Sequence, residues 1–135
     1  MSFFWAAPKP LIVIWIRVRL TPPGTGCACG RGLVYGEGEE HSESGSAAHA
    51  LELAHAARLN LDTTWGVGES GIPGPDAHRR TGLPAGMGFV AIAGPTAETT
   101  GVLKISASNA SRGENMARFA QGALDLLGHL QTKQQ

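Results

Sequence analysis

The sequence lacks net charge, because 11 Lys and Arg residues balance 11 Asp and Glu residues, and charged residues make up only 16% of the chain. A neutral chain gives no electrostatic reason to expect a nucleic acid or an anionic membrane as a partner. Cysteine is also scarce. Cys27 and Cys29 are one residue apart, a spacing that would strain a disulfide and does not match a zinc-binding pair. We therefore predict no disulfide and no metal site, and nothing in the sequence predicts a cofactor.

Long hydrophobic runs are absent as well. The most apolar run, Leu11–Ile16, falls far short of the ~20 residues that span a bilayer. Positive charges follow this run instead of preceding it, and no small-residue cleavage site comes next, so it does not match a secretory signal. Its alternation with Arg17 and Arg19 favours a buried strand over Leu11–Leu20. We expect a cytoplasmic protein with no membrane partner.

Three regions differ in composition. Residues 1–45 combine the apolar strand with Pro- and Gly-rich turns and a polar run, which predicts a divergent, partly disordered segment. Residues 46–131 are predicted to form one α/β domain, and residues 132–135 a short tail. Within the domain, Ala47–Leu59 is rich in alanine and leucine and predicts a helix.

The second half of the domain alternates strands with turns. Strands are predicted over Trp65–Glu69, Gly86–Ala93 and Thr100–Ser106, with a hairpin joining the last two. A closing helix follows, and its Ser111 and Glu114 have the spacing of a capping box. The predicted apolar stripe of this helix comprises Met116, Phe119, Ala120, Ala123, Leu127 and Leu130. Together these elements predict an α/β fold, a layered sheet with packed helices.

Residues 66–71 spell Gly-Val-Gly-Glu-Ser-Gly, the glycine pattern of dinucleotide-binding folds. Such a site needs a helix that begins inside the pattern, and Pro73 and Pro75 forbid a helix here. The segment instead predicts a strand that ends at Glu69 and runs into a loop of small residues, where a ligand can approach the backbone. The alternative is a turn that needs glycine for its geometry alone.

Four residues are predicted to bind a substrate: Ser70, Gly71, Gly74 and Arg112. Ser70 would present a hydroxyl, and the two glycines would let the ligand approach the backbone. Arg112 stands beside the start of the closing helix, where both the helix terminus and a guanidinium favour an anion. The alternative for Arg112 is an ordinary solvated side chain.

Histidines cluster at His41, His49 and His55. They lack the spacing of a zinc site, and His49 and His55 do not share a helix face. We therefore predict that His49 and His55 are surface or half-buried helix residues. His78-Arg79-Arg80 is predicted to be a solvated loop, with attraction of an anionic substrate as the alternative.

Three strings carry a family resemblance: GESGIPGP at 68–75, GMGFVAIAGP at 86–95 and SRGENMARFAQGALDLL at 111–127. In order and spacing they resemble the CinA C-terminal domain family of nicotinamide-nucleotide amidases. The form Asn115-Met116 followed by Phe119-Ala120 resembles a fungal or related branch. The resemblance implies hydrolysis of the carboxamide of nicotinamide mononucleotide, giving nicotinate mononucleotide and ammonia. The implied partner is thus a small-molecule nucleotide.

The resemblance also implies a nucleophile, a serine in a Glu-Ser-x-Thr-Gly-Gly motif, and this chain does not contain that motif. Its two Glu-Ser pairs, Glu43-Ser44 and Glu69-Ser70, have different surroundings. The catalytic residue therefore stays unknown, with Ser70 and Arg112 binding substrate and not attacking it. Tyr35 corresponds to the tyrosine of the family's Gly-Gly-Val-x-Tyr strand and is a further candidate site residue.

The missing motif predicts that the N-terminal portion of the family fold is incomplete. Three interpretations remain open: an active amidase, a truncated or non-catalytic member that keeps the fold and a weak nucleotide pocket, and a partly unfolded gene-model product with no function. If the first strand of the family is absent, either Leu11–Leu20 replaces it or an open sheet edge favours a homodimer.

Overall fold

The computed structural model describes residues 15–17 and 42–134. In chain order they form β1 (Trp15–Arg17), α1 (Ala47–Asn60), β2 (Gly66–Gly71), β3 (Gly88–Ala93), a 3-10 turn (Ala97–Thr99), β4 (Gly101–Ile105) and α2 (Arg112–Thr132). The helix predicted to begin at Ala47 and the order of elements after it are confirmed. The predictions for Tyr35, for the cysteines and for most of the Leu11–Leu20 strand lie outside the described residues.

The four strands form one sheet in the order β1-β2-β3-β4. β1 lies parallel to β2, with Trp15 opposite Val67, so three residues of the predicted Leu11–Leu20 strand do join the sheet. β2 and β3 are antiparallel, and so are β3 and β4, which confirms the predicted hairpin.

Successive residues of β3 point to opposite faces of the sheet, and among the described residues α1 packs on one face and α2 on the other. The cluster under α2 is built of larger side chains: Trp65, Val67, Val90, Ile92, Ile105, Phe119, Ala123, Leu127 and Leu130. The cluster under α1 consists of alanines: Ala50, Ala54, Ala91 and Ala93. The predicted α/β fold, a sheet layered between packed helices, is therefore confirmed.

Two glycines in β2 explain why α1 packs so closely on the sheet. A Cβ added at Gly66 would lie 2.0 Å from the carbonyl oxygen of Ala54, and one added at Gly68 would lie 2.1 Å from that of Ala50. No side chain fits in that space, so both positions need glycine for helix packing. Since residues 66–71 all lie in β2, the pattern presents no helix N-terminus to a phosphate.

The predicted end of β2 is wrong by two residues. The strand continues past Glu69 to Gly71, because Ser70 pairs with Phe89 and Gly71 with Gly88 in the β3 register. Ser70 and Gly71 therefore lie in the sheet and not in the loop that follows it.

Helix α2 begins at the predicted capping box. The Ser111 N–H donates to the Glu114 carboxylate at 2.8 Å, and the Glu114 N–H donates to the Ser111 hydroxyl at 3.3 Å. The predicted apolar stripe is wrong at its first position, because Met116 is 37% exposed whereas Asn115 is fully buried. The Asn115 amide is drawn inward because it donates to the carbonyl oxygen of Pro73 at 3.0 Å.

Neither helix among the described residues has the length and apolar character that a membrane crossing requires.

Candidate functional site

The carboxyl end of β2 places the Ser70 hydroxyl against the first turn of α1. Ser70 is 6% exposed. Its Oγ accepts a hydrogen bond from the Gly45 N–H at 2.7 Å, and it lies 2.7 Å from Nδ1 of His49. These two contacts hold the hydroxyl oxygen in one position beside the loop that follows the strand.

His49 is buried, with 6% of its surface exposed, so the prediction of a surface or half-buried side chain is wrong at this position. Its place in the fold follows from the helix cap. Ser46 caps α1, and its hydroxyl accepts a hydrogen bond from the His49 N–H at 3.1 Å. The close approach of α1 to β2 then brings the imidazole down to Ser70. His55, further along α1, is half-buried as predicted.

A small cavity opens beside this Ser–His pair. It is lined by Ser44, Gly45, His49, Ser70, Gly71, Ile72 and His78, and its volume is about 20 Å³. A cavity of this size holds about one water molecule. Two of the predicted substrate-binding residues, Ser70 and Gly71, therefore do border a recess.

His78 brings a second imidazole to the cavity from the loop after β2. It is half-buried, and its Nδ1 accepts a hydrogen bond from the Thr81 N–H at 3.3 Å and lies 2.8 Å from the Thr81 hydroxyl. The neighbouring Arg79 and Arg80 are exposed. The prediction of a solvated loop is thus confirmed for the two arginines but not for His78.

Arg112 and Gly74, the other two predicted residues, meet each other and do not line the cavity. Nη1 of Arg112 donates to the carbonyl oxygen of Gly74 at 2.7 Å. This bond ties the start of α2 to the loop after β2, and the Asn115 amide reinforces it through Pro73. The binding of a ligand anion by Arg112 stays a prediction.

The two glycines of the predicted site each have a structural reason for lacking a side chain. At Gly74 the φ angle is +86°, which favours glycine, and an added Cβ would lie 2.9 Å from the Cβ of Ala85. At Gly71 an added Cβ would lie 2.8 Å from Cε2 of Phe119 and 3.1 Å from Oε1 of Glu69. Glu69 therefore lies on the α2 face, away from its sequence neighbour Ser70.

The described part of the chain contains no group of three or more His, Cys, Asp or Glu side chains arranged to hold a metal ion. The chemistry that this site can offer is a fixed hydroxyl, an imidazole in contact with it, and loop backbone close by. Sequence reasoning identified Ser70 and missed His49 and Gly45. The serine cap at Ser46 placed His49 in a first helical turn, but no local signal paired it with Ser70.

A protein-family model described as the CinA C-terminal domain matches residues 38–131. A CinA-like protein from Synechococcus elongatus is 45% identical over 51 residues, which cover 38% of this chain and 12% of that protein. A CinA-like protein from a Cyanothece species is 42% identical over 50 residues, again 12% of its length. The matched segment is thus a small part of the curated relatives.

Two solved structures share the fold. The competence/damage-inducible protein CihA from Agrobacterium tumefaciens superposes with a TM-score of 0.54 at 25% identity, over 64% of this chain and 51% of that one. A competence-damaged protein (CinA) superfamily member from Escherichia coli superposes with a TM-score of 0.52 at 23% identity, over 62% of this chain and 48% of its own.

Proposed function

This chain belongs to the CinA C-terminal domain family, and on that premise we propose that it acts as an amidohydrolase on nicotinamide mononucleotide. The products are nicotinate mononucleotide and ammonia. One observation supports a location for the substrate site: the Ser70 hydroxyl, hydrogen-bonded to Gly45 and in contact with His49 at the end of β2, borders a recess. In open α/β sheets this end of a strand is where ligands bind.

The volume of the recess limits how much of the substrate it can hold. Pockets for whole small-molecule ligands measure about 300–1,000 Å³, whereas this cavity measures about 20 Å³. We therefore assign it to one polar end of the substrate, with Ser70 as a hydrogen-bonding partner of the carboxamide. Gly71 borders the same recess through its backbone.

Arg112 has two roles in this proposal. One N–H of its guanidinium donates to the Gly74 carbonyl at 2.7 Å, which positions the loop after β2, and we assign its remaining donors to an anionic group of the substrate. The nucleophile remains unassigned, since the chain lacks the Glu-Ser-x-Thr-Gly-Gly motif. We further propose that the chain belongs to a fungal or related branch, on the form Asn115-Met116 followed by Phe119-Ala120.

The test of the amidase is release of ammonia from nicotinamide mononucleotide by the purified full chain. A complete family homologue under the same conditions is the positive control. We expect turnover by the wild type and at least a tenfold loss in Ser70→Ala, which removes one hydrogen bond to the substrate. Absence of ammonia with the wild type, while the homologue is active, would refute the amidase.

A second candidate is a non-catalytic family member that keeps the fold and a weak nucleotide pocket. The missing nucleophile motif favours it. In that case calorimetry should detect binding of the nucleotide without ammonia release. Binding should weaken in Arg112→Ala, because the Gly74 loop loses its anchor, and should be unchanged in Arg79→Ala, an exposed arginine of the same loop. Equal binding by both variants would contradict the role given to Arg112.

A further inference from the structure

We propose that His49 determines which ligand group the site accepts, by setting whether the Ser70 hydroxyl offers a hydrogen-bond acceptor or a donor. The site thereby discriminates a carboxamide from a carboxylate. The choice of ligand rests on the proposed function, whereas the behaviour of the Ser–His pair is argued from the contacts that Gly45 and His49 make with Ser70.

A serine hydroxyl can form only a few hydrogen bonds, so the partners of Ser70 can be counted. It has one O–H donor and two acceptor positions. The Gly45 N–H occupies one acceptor position of Ser70 at 2.7 Å. His49 Nδ1, also at 2.7 Å, must take one of the remaining two, and a ligand meets whichever is left.

Two arrangements of the pair follow. When Nδ1 of His49 carries no proton, it accepts the O–H of Ser70, and the hydroxyl shows a ligand only a lone pair. When Nδ1 carries a proton, it donates to the second lone pair, and the O–H is free to donate to a ligand. An imidazolium has an N–H on both ring nitrogens, so protonation of His49 allows only the second arrangement.

The two ligand groups respond differently to these arrangements. A carboxamide carries both N–H donors and a carbonyl acceptor, so it can bind either form of Ser70. An ionised carboxylate has acceptors only, so it needs the donating form, and the imidazolium adds an attractive charge. Acidification that protonates His49 should therefore strengthen binding of the acid and leave the amide little changed.

Among residues 42–134, four titratable groups lie near His49 or near its partner Ser70. His78 borders the same cavity from the loop after β2. Glu52, one turn further along α1, is hydrogen-bonded to Ser42, and Glu43, ahead of the helix, is exposed. In the sheet, Glu69 lies on the face opposite Ser70, and the residue of β3 that pairs with Ser70 is Phe89. His78 is therefore the group that a control must separate from His49.

The test combines two measurements on the full chain. Ring-nitrogen NMR of the ¹⁵N-labelled protein reports the protonation of His49 Nδ1 between about pH 5 and pH 8.5, a range centred on imidazole titration. Calorimetry measures the affinities for nicotinamide mononucleotide and nicotinate mononucleotide at both ends of the range. The acid should bind about tenfold more tightly at low pH, equivalent to one charged hydrogen bond, and the amide should change less than threefold.

The variants identify the titrating group. His49→Gln should abolish the pH dependence of acid binding, whereas His78→Gln and His55→Gln should retain it. A pH-dependent preference that persists in His49→Gln would overturn the proposal, and so would an Nδ1 that stays protonated over the whole range. If neither nucleotide binds, the proposed function fails. Nicotinamide and nicotinate are then the probes, and His49 ring signals that respond to neither would overturn this proposal as well.

Discussion

Replacing Gly68 with alanine should push α1 away from the sheet. The added Cβ would lie 2.1 Å from the carbonyl oxygen of Ala50, 2.6 Å from the backbone nitrogen of Ala54 and 2.9 Å from the Cβ of Leu53. Real Cβ atoms essentially never approach a neighbour closer than 3.0 Å. Since the nearest atoms belong to helix backbone, a side-chain rotation cannot relieve the contact, and α1 has to move by about 0.9 Å.

The expected loss of stability lies at the upper end of the overpacking range, about 3 kcal/mol. With a urea slope of about 1–3 kcal/mol/M for a chain of this size, the unfolding midpoint should fall by about 1–3 M. The same displacement would lengthen the 2.7 Å contact between His49 and Ser70 to about 3.6 Å, which is no longer a hydrogen bond. Gly68→Ala should therefore also remove the effect of Ser70 on the His49 ring signals.

The matched control is the same substitution at Gly128 on α2, where an added Cβ meets nothing within 4 Å. Alanine is favoured over glycine in a helix by about 1 kcal/mol, so Gly128→Ala should be neutral or stabilising. Both variants are compared by urea unfolding followed by circular dichroism. A Gly68→Ala chain as stable as the wild type, with His49 signals unchanged, would refute the close packing of α1 on β2.

Two further substitutions test α2 and its attachment. Asn115→Ala should lower the free energy of unfolding by about 1–3 kcal/mol, because the half-buried carbonyls of Pro73 and Ala110 both lose a donor, whereas exposed Asn109→Ala should have no effect in the same assay. For Glu114, the Ser111 N–H, and next the Ser111 hydroxyl, lower the pKa below the ordinary carboxyl value. A lowered pKa stabilises the fold above the ordinary range, and this contribution is lost as pH falls through the lowered pKa. Urea midpoints should therefore favour the wild type over Glu114→Gln at neutral pH and converge as the pH falls through the lowered pKa of Glu114.

The order of the elements could be predicted because its signals are local. Alanine-rich composition gave the helix that begins at Ala47, and the spacing of Ser111 and Glu114 gave the start of α2. The end of β2 could not be predicted, because Ser70 and Gly71 join the sheet through pairing with β3, seventeen to nineteen positions later in the sequence. When pairing with another strand determines where a strand ends, the sequence around that end does not predict it.

The same distinction explains the errors on the helix faces. The helical period placed Met116 on the buried stripe, but the inward position went to Asn115 because a loop carbonyl 42 residues earlier needed a donor. His49 was predicted to be exposed or half-buried because the residue beneath it, Ser70, follows 21 positions later. Polar side chains that satisfy buried polar groups override hydrophobic periodicity, and their partners are set by the tertiary fold.

The glycine pattern of residues 66–71 connects packing to the candidate site. Gly66 and Gly68 remove side chains from the α1 face of β2, and the helix settles within reach of the strand backbone. Ser70 is the next residue on that face, and it meets His49 at 2.7 Å. With larger residues at the two glycines, α1 would stand further from the sheet and the imidazole could not contact the hydroxyl. These glycines therefore contribute to the candidate site through packing, because they set the distance between α1 and β2 at which His49 contacts Ser70.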